Sequence, residues 1–303
     1  MRSVWRWILT ASVVLLLAPS LRAQDRVPIF VSIVPQQYFV QRIGQDLVNV
    51  RVMVRPGDSP ATYEPKPRQM AAISGTRIYF AIGVPFERVW LKKIASSNPD
   101  MKVIHTDAGI SKLGMESDHH HHPAAEQRRG SRPHDPRRGS EAIADPHIWL
   151  SPPLVMQQAH AILSALQQVD PDHRSDYASN YAAFRQDLLQ LDGELQTIFS
   201  GKQGSRFMVF HPSWGYFAHT YGLEQVPIEI EGKDPKPAQL RALIAYARTH
   251  QIKVVFAQPQ FSAKNARQIA REIGGRVAFV DPLALNWPEN LRRAAEQFNA
   301  ALR

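Results

Sequence analysis

The sequence predicts an α/β fold with two lobes, each a mainly parallel sheet wrapped by helices, joined by one long rigid helix. Two observations predict this fold. Short β-branched apolar runs alternate with helical patterns in both halves of the chain, as expected for parallel sheets covered by helices. Between the halves lies one long stripe of apolar residues with helical spacing. The 303 residues are enough for two domains of ordinary size.

The first half begins with a predicted strand from Val27 to Val34, which ends at Pro35. Apolar residues at Tyr38, Phe39 and Ile43 then indicate a helix. The same alternation predicts a strand at 48–54, a turn at 56–57, a helix at 68–74, a strand at 78–82 and a helix at 86–96.

The centre of the chain predicts a long helix between residues 172 and 200. Its larger apolar residues recur at steps of four and three positions, and they are Tyr177, Tyr181, Phe184, Leu188, Leu191, Leu195 and Ile198. A helix of this length would extend about 43 Å, so we predict a strut between the lobes. The second half resumes with strands at 206–210, 253–257 and 276–280 and helices at 237–250, 263–273 and 288–302.

Composition narrows the classes of protein. Apolar residues make up 44% and charged residues 21%, which excludes wholesale disorder, a collagen helix and a coiled-coil rod. The chain has no cysteine, so disulfides, thiolate metal sites, a cysteine nucleophile and a lipid anchor on cysteine are excluded. Any metal must be bound by His, Asp or Glu.

The N-terminal residues 1–23 are typical of a secretory signal peptide. Arg2 and Arg6 precede an uncharged, mostly apolar run at residues 8–18, and Ala23 provides a small residue at the expected cleavage site. That run is much shorter than the ~20 residues that a membrane-spanning helix needs. We therefore expect cleavage near Ala23 and a periplasmic protein.

Residues 115–144 interrupt the α/β pattern and predict a mobile loop. The segment contains the four histidines His119, His120, His121 and His122 and almost no large apolar side chain. Neighbouring imidazoles without fixed geometry are expected to bind zinc weakly. The net charge of +9 raised the possibility of a polyanion partner, but the five arginines of this segment are balanced by five acidic residues, so we expect no nucleic-acid binding.

Candidate site residues follow the predicted strands, because ligands of open α/β sheets bind at the carboxyl ends of strands. His211 and Asp281 each come directly after a strand of the second half, and His147 lies in a turn ahead of the long helix. Two imidazoles and one carboxylate can form a divalent-metal site. By spacing alone, the pattern favours ordinary hydrogen-bonded histidines and a helix cap at Asp281 over a metal site.

Several motifs in order give the sequence a resemblance over nearly the whole mature chain. It resembles the metal-binding proteins of ABC importers for zinc and manganese, the cluster with a rigid helical backbone between lobes. The motifs lie at residues 31–35, 57–65, 145–152, 210–217, 257–262 and 280–283. A histidine-rich loop ahead of the Asp-Pro-His motif is typical of the zinc-specific branch.

The resemblance implies a single metal in the cleft between the lobes, bound by three histidines and one carboxylate. His147 and His211 match the second and third histidines, and Asp281 matches the carboxylate. The first histidine is replaced by Ala61, which cannot bind a metal. Water can fill the place, a nearby group can substitute, or the protein has lost tight binding. The candidate substitutes are Gln36, Glu64 and the loop histidines His119, His120, His121 and His122.

The function that the resemblance implies is that of a periplasmic binding protein, not an enzyme, which captures Zn(II) and delivers it to an ABC permease with its cytoplasmic ATPase. We expect a monomer that contacts the inner membrane only peripherally. The alternatives are a manganese-specific or iron-specific protein of the same family, or a zinc hydrolase that uses the open coordination position. The expected organisation is a signal peptide at 1–23, an N-terminal lobe at 24–168, a linking helix at 169–203 and a C-terminal lobe at 204–303.

Overall fold

The computed structural model describes residues 26–115, 144–229 and 232–302. The predicted signal peptide and the four histidines at 119–122 lie outside the described residues.

The N-terminal lobe is built on a four-stranded parallel sheet with the strand order β2-β1-β3-β4. Its strands are β1 (Val27–Val31), β2 (Val48–Val52), β3 (Ile78–Ala81) and β4 (Lys102–His105). Its helices are α1 (Val34–Gly44), α2 (Pro67–Ile73) and α3 (Pro85–Ser96). Each of these helices has a proline in its first turn, where the missing N–H costs no helical hydrogen bond.

Two helices connect the lobes, and they pack against each other: α4 (Pro152–Val169) and α5 (Arg174–Ile198). The predicted apolar stripe forms one face of α5, on which Tyr177, Phe184, Leu188, Leu191 and Leu195 are buried. With 25 residues, α5 extends about 37 Å. The long connecting helix is therefore confirmed, but it is one of a pair.

The C-terminal lobe repeats the first one, since its parallel sheet has the strand order β6-β5-β7-β8. Its strands are β5 (Arg206–Val209), β6 (Glu224–Pro227), β7 (Val254–Ala257) and β8 (Arg276–Phe279). Its helices are α6 (Gly215–Thr220), α7 (Pro237–Thr249), α8 (Lys264–Glu272) and α9 (Trp287–Ala301). In this order the connection direction reverses between β5 and β7, which is where α/β sheets open a ligand crevice.

The lobes meet at a tryptophan seam formed by Trp149, Pro282 and Trp287. The Trp149 indole donates to the Pro282 carbonyl (2.7 Å), and the Trp287 indole donates to the Trp149 carbonyl (2.8 Å). Trp287 also packs edge-on against Phe39 of α1, with ring centroids 5.1 Å apart. Through this seam, the start of α9 joins both lobes.

The predicted fold class is confirmed. The elements that the sequence analysis did not predict are β4, α4, α6 and β6. In the described part of the chain, no helix has both the length and the apolar composition needed to span a bilayer.

Candidate metal site

His211 lies at the crevice of the C-terminal sheet, one residue beyond Phe210 and just after β5. Its backbone is held on both sides by the fully buried Gln258, which follows β7. The Gln258 oxygen accepts from the His211 N–H (3.1 Å), and the Gln258 amide donates to the His211 carbonyl (2.6 Å). The imidazole stacks on Phe261 with ring centroids 4.5 Å apart. The paired strands β5 and β7 therefore fix the position of this ring together.

His147 reaches the same region from the other side of the connecting helices. It precedes a short 3₁₀ turn at Ile148–Leu150, and its ring packs against Trp149 of the seam, with centroids 5.1 Å apart. Asp145 fixes its conformation, because one carboxylate oxygen accepts both the His147 backbone N–H (2.9 Å) and a hydrogen bond with the ring Nδ1 (2.6 Å).

A buried carboxylate orients each imidazole. Asp145 bonds Nδ1 of His147, and Glu229 bonds Nδ1 of His211 at 2.9 Å. In the described residues, neither Nε2 has a hydrogen-bond partner. A carboxylate on the far nitrogen of a histidine is the arrangement that fixes the tautomer and orientation of metal-binding histidines. Both rings thus keep Nε2 available for an ion.

The separation of the two rings fits a shared zinc ion. Their centroids are 5.3 Å apart with the planes 75° from parallel. A zinc–nitrogen distance of ~2.0 to 2.1 Å puts the metal about 3.2 Å from each centroid, and a tetrahedral angle of about 109° then separates the centroids by about 5.2 Å. The observed spacing needs almost no adjustment to match this value.

Asp281 lies at the end of β8, beside the same crevice, but it does not complete the ligand set in this conformation. No group of three or more His, Asp or Glu side chains arranged to hold a metal occurs in residues 26–115, 144–229 and 232–302. The Asp281 Oδ1 atom accepts from Gln260 Nε2 at 2.7 Å and from the Leu283 N–H at 2.9 Å. The structure thus brings together the two histidines and leaves the carboxylate nearby.

The loop between β2 and α2 carries Ala61, the residue that the resemblance puts at the place of the first family histidine. Ala61 is exposed, and its N–H donates to Ser59 Oγ at 3.3 Å. Of the candidate substitutes, Glu64 is exposed on the same loop. Gln36 is fully buried, with its oxygen accepting from the N–H groups of Ser32 and Ile33 and its amide donating to Thr106 Oγ1. Both ends of Gln36 are therefore already used within the N-terminal lobe.

The protonation states around the site suit cation binding. Burial lowers the pKa of His211, with the Glu229 hydrogen bond opposing that shift, so the ring favours the neutral form that binds metals.

Burial also raises the pKa of Tyr216 to about 12, so its hydroxyl stays protonated at neutral pH. That hydroxyl donates to the Asp145 carbonyl (2.9 Å) and accepts from the Leu113 N–H (2.9 Å).

Sequence reasoning missed the residues that support the imidazoles. Asp145 begins the Asp-Pro-His motif, and its position two residues before the histidine was the only available signal. Glu229 comes 18 residues after His211 in the sequence, and no spacing rule connects the two. Gln258 belongs to the motif at residues 257–262, but its two bonds to the His211 backbone depend on the pairing of β5 with β7.

The whole described α/β architecture corresponds to one family. The family model that matches residues 29–301 describes the periplasmic zinc-uptake complex component A, ZnuA. The chain belongs to this family. ZnuA-family proteins are periplasmic metal-binding components of ABC metal uptake systems, so the chain is a transport protein, not an enzyme.

Individual relatives agree on metal binding and differ in the ion. The high-affinity zinc uptake protein ZnuA of Bacillus subtilis (strain 168) is 28% identical over 261 residues, which are 86% of this chain and 79% of that protein. The iron-binding protein YfeA of Yersinia pestis is 29% identical over 257 residues, which are 82% of this chain and 75% of that protein. A crystal structure of ZnuA shares 43% identity with a TM-score of 0.82, covering 91% of this chain and 99% of that chain.

Proposed function

We propose that this ZnuA-family chain captures Zn(II) at His147, His211 and Asp281 in the periplasm and delivers it to the permease of an ABC importer. The observation that supports this proposal most directly is the pair of imidazoles. Their ring centroids are 5.3 Å apart, and a buried carboxylate orients each ring. Two histidines, one carboxylate and one water form an ordinary tetrahedral zinc set. Asp281 supplies the carboxylate through its Oδ2 atom.

Zinc fits this donor set better than a hard cation. Two neutral imidazoles suit zinc, whereas magnesium, calcium and manganese sites are mostly built from oxygen ligands. The iron-binding relative makes iron the second candidate. Manganese and iron are therefore the competitors against which zinc binding is to be measured.

The test is a competition titration of the metal-depleted mature protein, purified without a tag, against a zinc-chelating indicator. We expect one tight zinc equivalent per chain. His147→Ala, His211→Ala and Asp281→Ala should each weaken binding at least ~100-fold, which corresponds to about 2.7 kcal/mol. His160→Ala, on the exposed side of α4, is the matched control and should bind as the wild type does.

The outcome that contradicts the site is unchanged zinc affinity in all three variants. Tighter binding of Mn(II) or Fe(II) than of Zn(II) would assign a different ion to the same site. Delivery is tested separately by zinc-limited growth of cells that carry the permease and either the wild-type chain or His211→Ala. Equal growth of the two strains would contradict delivery through this site.

A further inference from the structure

The Asp281 carboxylate has one oxygen that is already occupied. Oδ1 accepts from Gln260 Nε2 at 2.7 Å and from the Leu283 N–H at 2.9 Å. The second contact is a local turn in which an Asp side chain caps the backbone two residues on. Among the described residues, Oδ2 has no hydrogen-bond partner. The two oxygens of this carboxylate are therefore not equivalent.

The backbone around Asp281 is fixed as well. The Asp281 carbonyl accepts from Asn290 Nδ2 of α9 at 2.6 Å, and the next carbonyl, that of Pro282, accepts from the Trp149 indole. The main chain that carries the Asp281 side chain is therefore fixed. The hydrogen bonds to its Oδ1 decide which way the carboxylate faces.

Gln260 is held in place between two residues that contact His211. It lies in the turn after β7, between Gln258, which bonds the His211 backbone, and Phe261, which stacks on the His211 ring. The Phe261 N–H donates back to the Gln258 carbonyl at 3.2 Å and closes this turn. One turn therefore positions both His211 and the Asp281 carboxylate.

A carboxylate with one occupied oxygen favours a low coordination number. Zinc sites are mostly four-coordinate, and a carboxylate that binds through one oxygen fits them. Manganese prefers octahedral, oxygen-rich surroundings, which a carboxylate binding through both oxygens helps to supply. Each oxygen of an ionised carboxylate has two lone pairs, and both of those on Oδ1 are used by hydrogen bonds. For Asp281 to bind through both oxygens, Oδ1 would have to leave one of its two donors, and Gln260 is the one that a substitution can remove.

We propose that Gln260 is a specificity-determining positioning residue, which keeps Asp281 a one-oxygen ligand and so biases the site toward zinc over manganese. This inference rests on the proposed function of the site. Gln260 itself does not touch the ion. It acts through Asp281.

The test compares zinc and manganese affinities of the full mature chain and of Gln260→Met, which keeps the side-chain length and removes the donor. We expect the preference for zinc to narrow by ~10-fold, mainly because manganese binds more tightly. Gln260→Ala should shift the preference in the same direction. Gln190→Met is the matched control. On the exposed face of α5, Gln190 donates to Glu194 in the same kind of amide–carboxylate bond.

Cobalt substitution provides a readout that a merely structural role would not move. Four-coordinate Co(II) absorbs strongly in the visible range, and the band weakens as the coordination number rises. We expect an intense band for the wild type and for Gln190→Met, and a weaker band for both Gln260 variants. Thermal unfolding confirms that all variants are folded.

Two results would overturn the role of Gln260 and leave the zinc site intact. One is an unchanged ratio of zinc to manganese affinity with an unchanged cobalt band. The other is weaker zinc binding with unchanged manganese affinity and an unchanged cobalt band. A wild-type chain that binds neither ion tightly would overturn both the proposed function and this inference.

Discussion

Asp145 and Glu229 each set the orientation of one imidazole, so their charges should matter to an ion that they do not touch. Removing the charge in Asp145→Asn or Glu229→Gln weakens the hold on the ring Nδ1 and the basicity of the ligand, and such changes reduce metal affinity by roughly 10- to 100-fold. A zinc competition titration measures this loss. Asp170→Asn, at a His–Asp pair remote from the site, should leave the affinity unchanged. Equal affinity in all variants would contradict the supporting role.

Ala61 offers a gain-of-function test. If water occupies the first-ligand position, Ala61→His should tighten zinc binding by ~10-fold or more, because the added donor is already held by the chain. Thr62→His adds an imidazole at the neighbouring exposed position and is the control. Equal or weaker binding by Ala61→His would mean that another group has taken the position or that the loop does not reach the ion.

Glu87 should make the folding stability depend on pH, whether or not a metal is bound. It is buried at the start of α3, where it accepts from the N–H groups of Ile82 and Gly83, and burial raises its pKa. The folded state therefore retains its proton at pH values where the unfolded state, with a pKa of ~4.3, has lost it. The contribution of Glu87 to the free energy of unfolding is greatest at low pH. It falls as the pH rises through the raised pKa that Glu87 has in the folded state.

The expected outcome is a difference between two pH profiles. The free energy of unfolding of the wild type relative to Glu87→Gln should decrease from pH ~4 upward, because the neutral amide does not ionise. Urea unfolding at several pH values measures it. Parallel profiles for Glu87→Gln would contradict the assignment.

At the residue scale, the sequence predicted the candidate imidazole ligands but not all of the side chains that orient them. His211 could be proposed because a histidine after a strand falls at the ligand edge of a parallel sheet. His147 could be proposed because it lies in the turn of the Asp-Pro-His motif. Glu229 could not, because its contact depends on the register of β5 against β6. Whether Asp281 joins the ion remains a prediction, since Gln260 and Leu283 hold it in this conformation.

At the element scale, the apolar stripe of α5 was predictive, whereas the strands β4 and β6 and the helices α4 and α6 were not predicted. The stripe on α5 gave its direction and nearly its ends, because seven apolar positions share one face. The strand β4 has only four residues, of which two are exposed, and β6 ends in a proline at the sheet edge. Both are edge strands whose pairing partners, β3 and β5, define them more than their own composition does.

The stem of the histidine-rich segment makes a clean deletion possible. Gly114 and Ala144 form an antiparallel bridge, and the Asp145 N–H donates to the Leu113 carbonyl at 2.8 Å. Replacing residues 116–143 with Gly-Gly should therefore preserve the melting temperature and the tight zinc site. Titration calorimetry should show the loss of weak zinc equivalents only.

The control for this deletion changes the four histidines at 119–122 to Asn in the full-length chain. It should lose the same weak equivalents, since imidazole is the donor in question. A deletion variant that melts much lower, or that loses the tight site while the Asn variant keeps it, would show that the segment has a structural role.

At the scale of the whole molecule, Tyr216 couples the lobes to the site. Its hydroxyl on α6 bridges Leu113 and Asp145, so Tyr216→Phe leaves two backbone groups without this partner, at a cost of ~1 to 3 kcal/mol. We expect lower thermal stability and several-fold faster zinc release, because Asp145 orients His147. Tyr221→Phe removes a hydroxyl bonded to Asp192 instead, and should lower stability without changing release. Equal release rates in both variants would contradict the coupling.

The tryptophan seam also determines when, during folding, the site can exist. Its two hydrogen bonds join residues 133 and 138 positions apart. Contacts this distant in sequence require the closure of long loops, which costs chain entropy and slows folding. An N-terminal fragment that stops before β8 contains both imidazoles but neither Asp281 nor the seam. With the ligand set proposed above, a nascent or truncated chain therefore lacks one ligand, and we expect tight ion capture to begin only after the last strand and helix have docked.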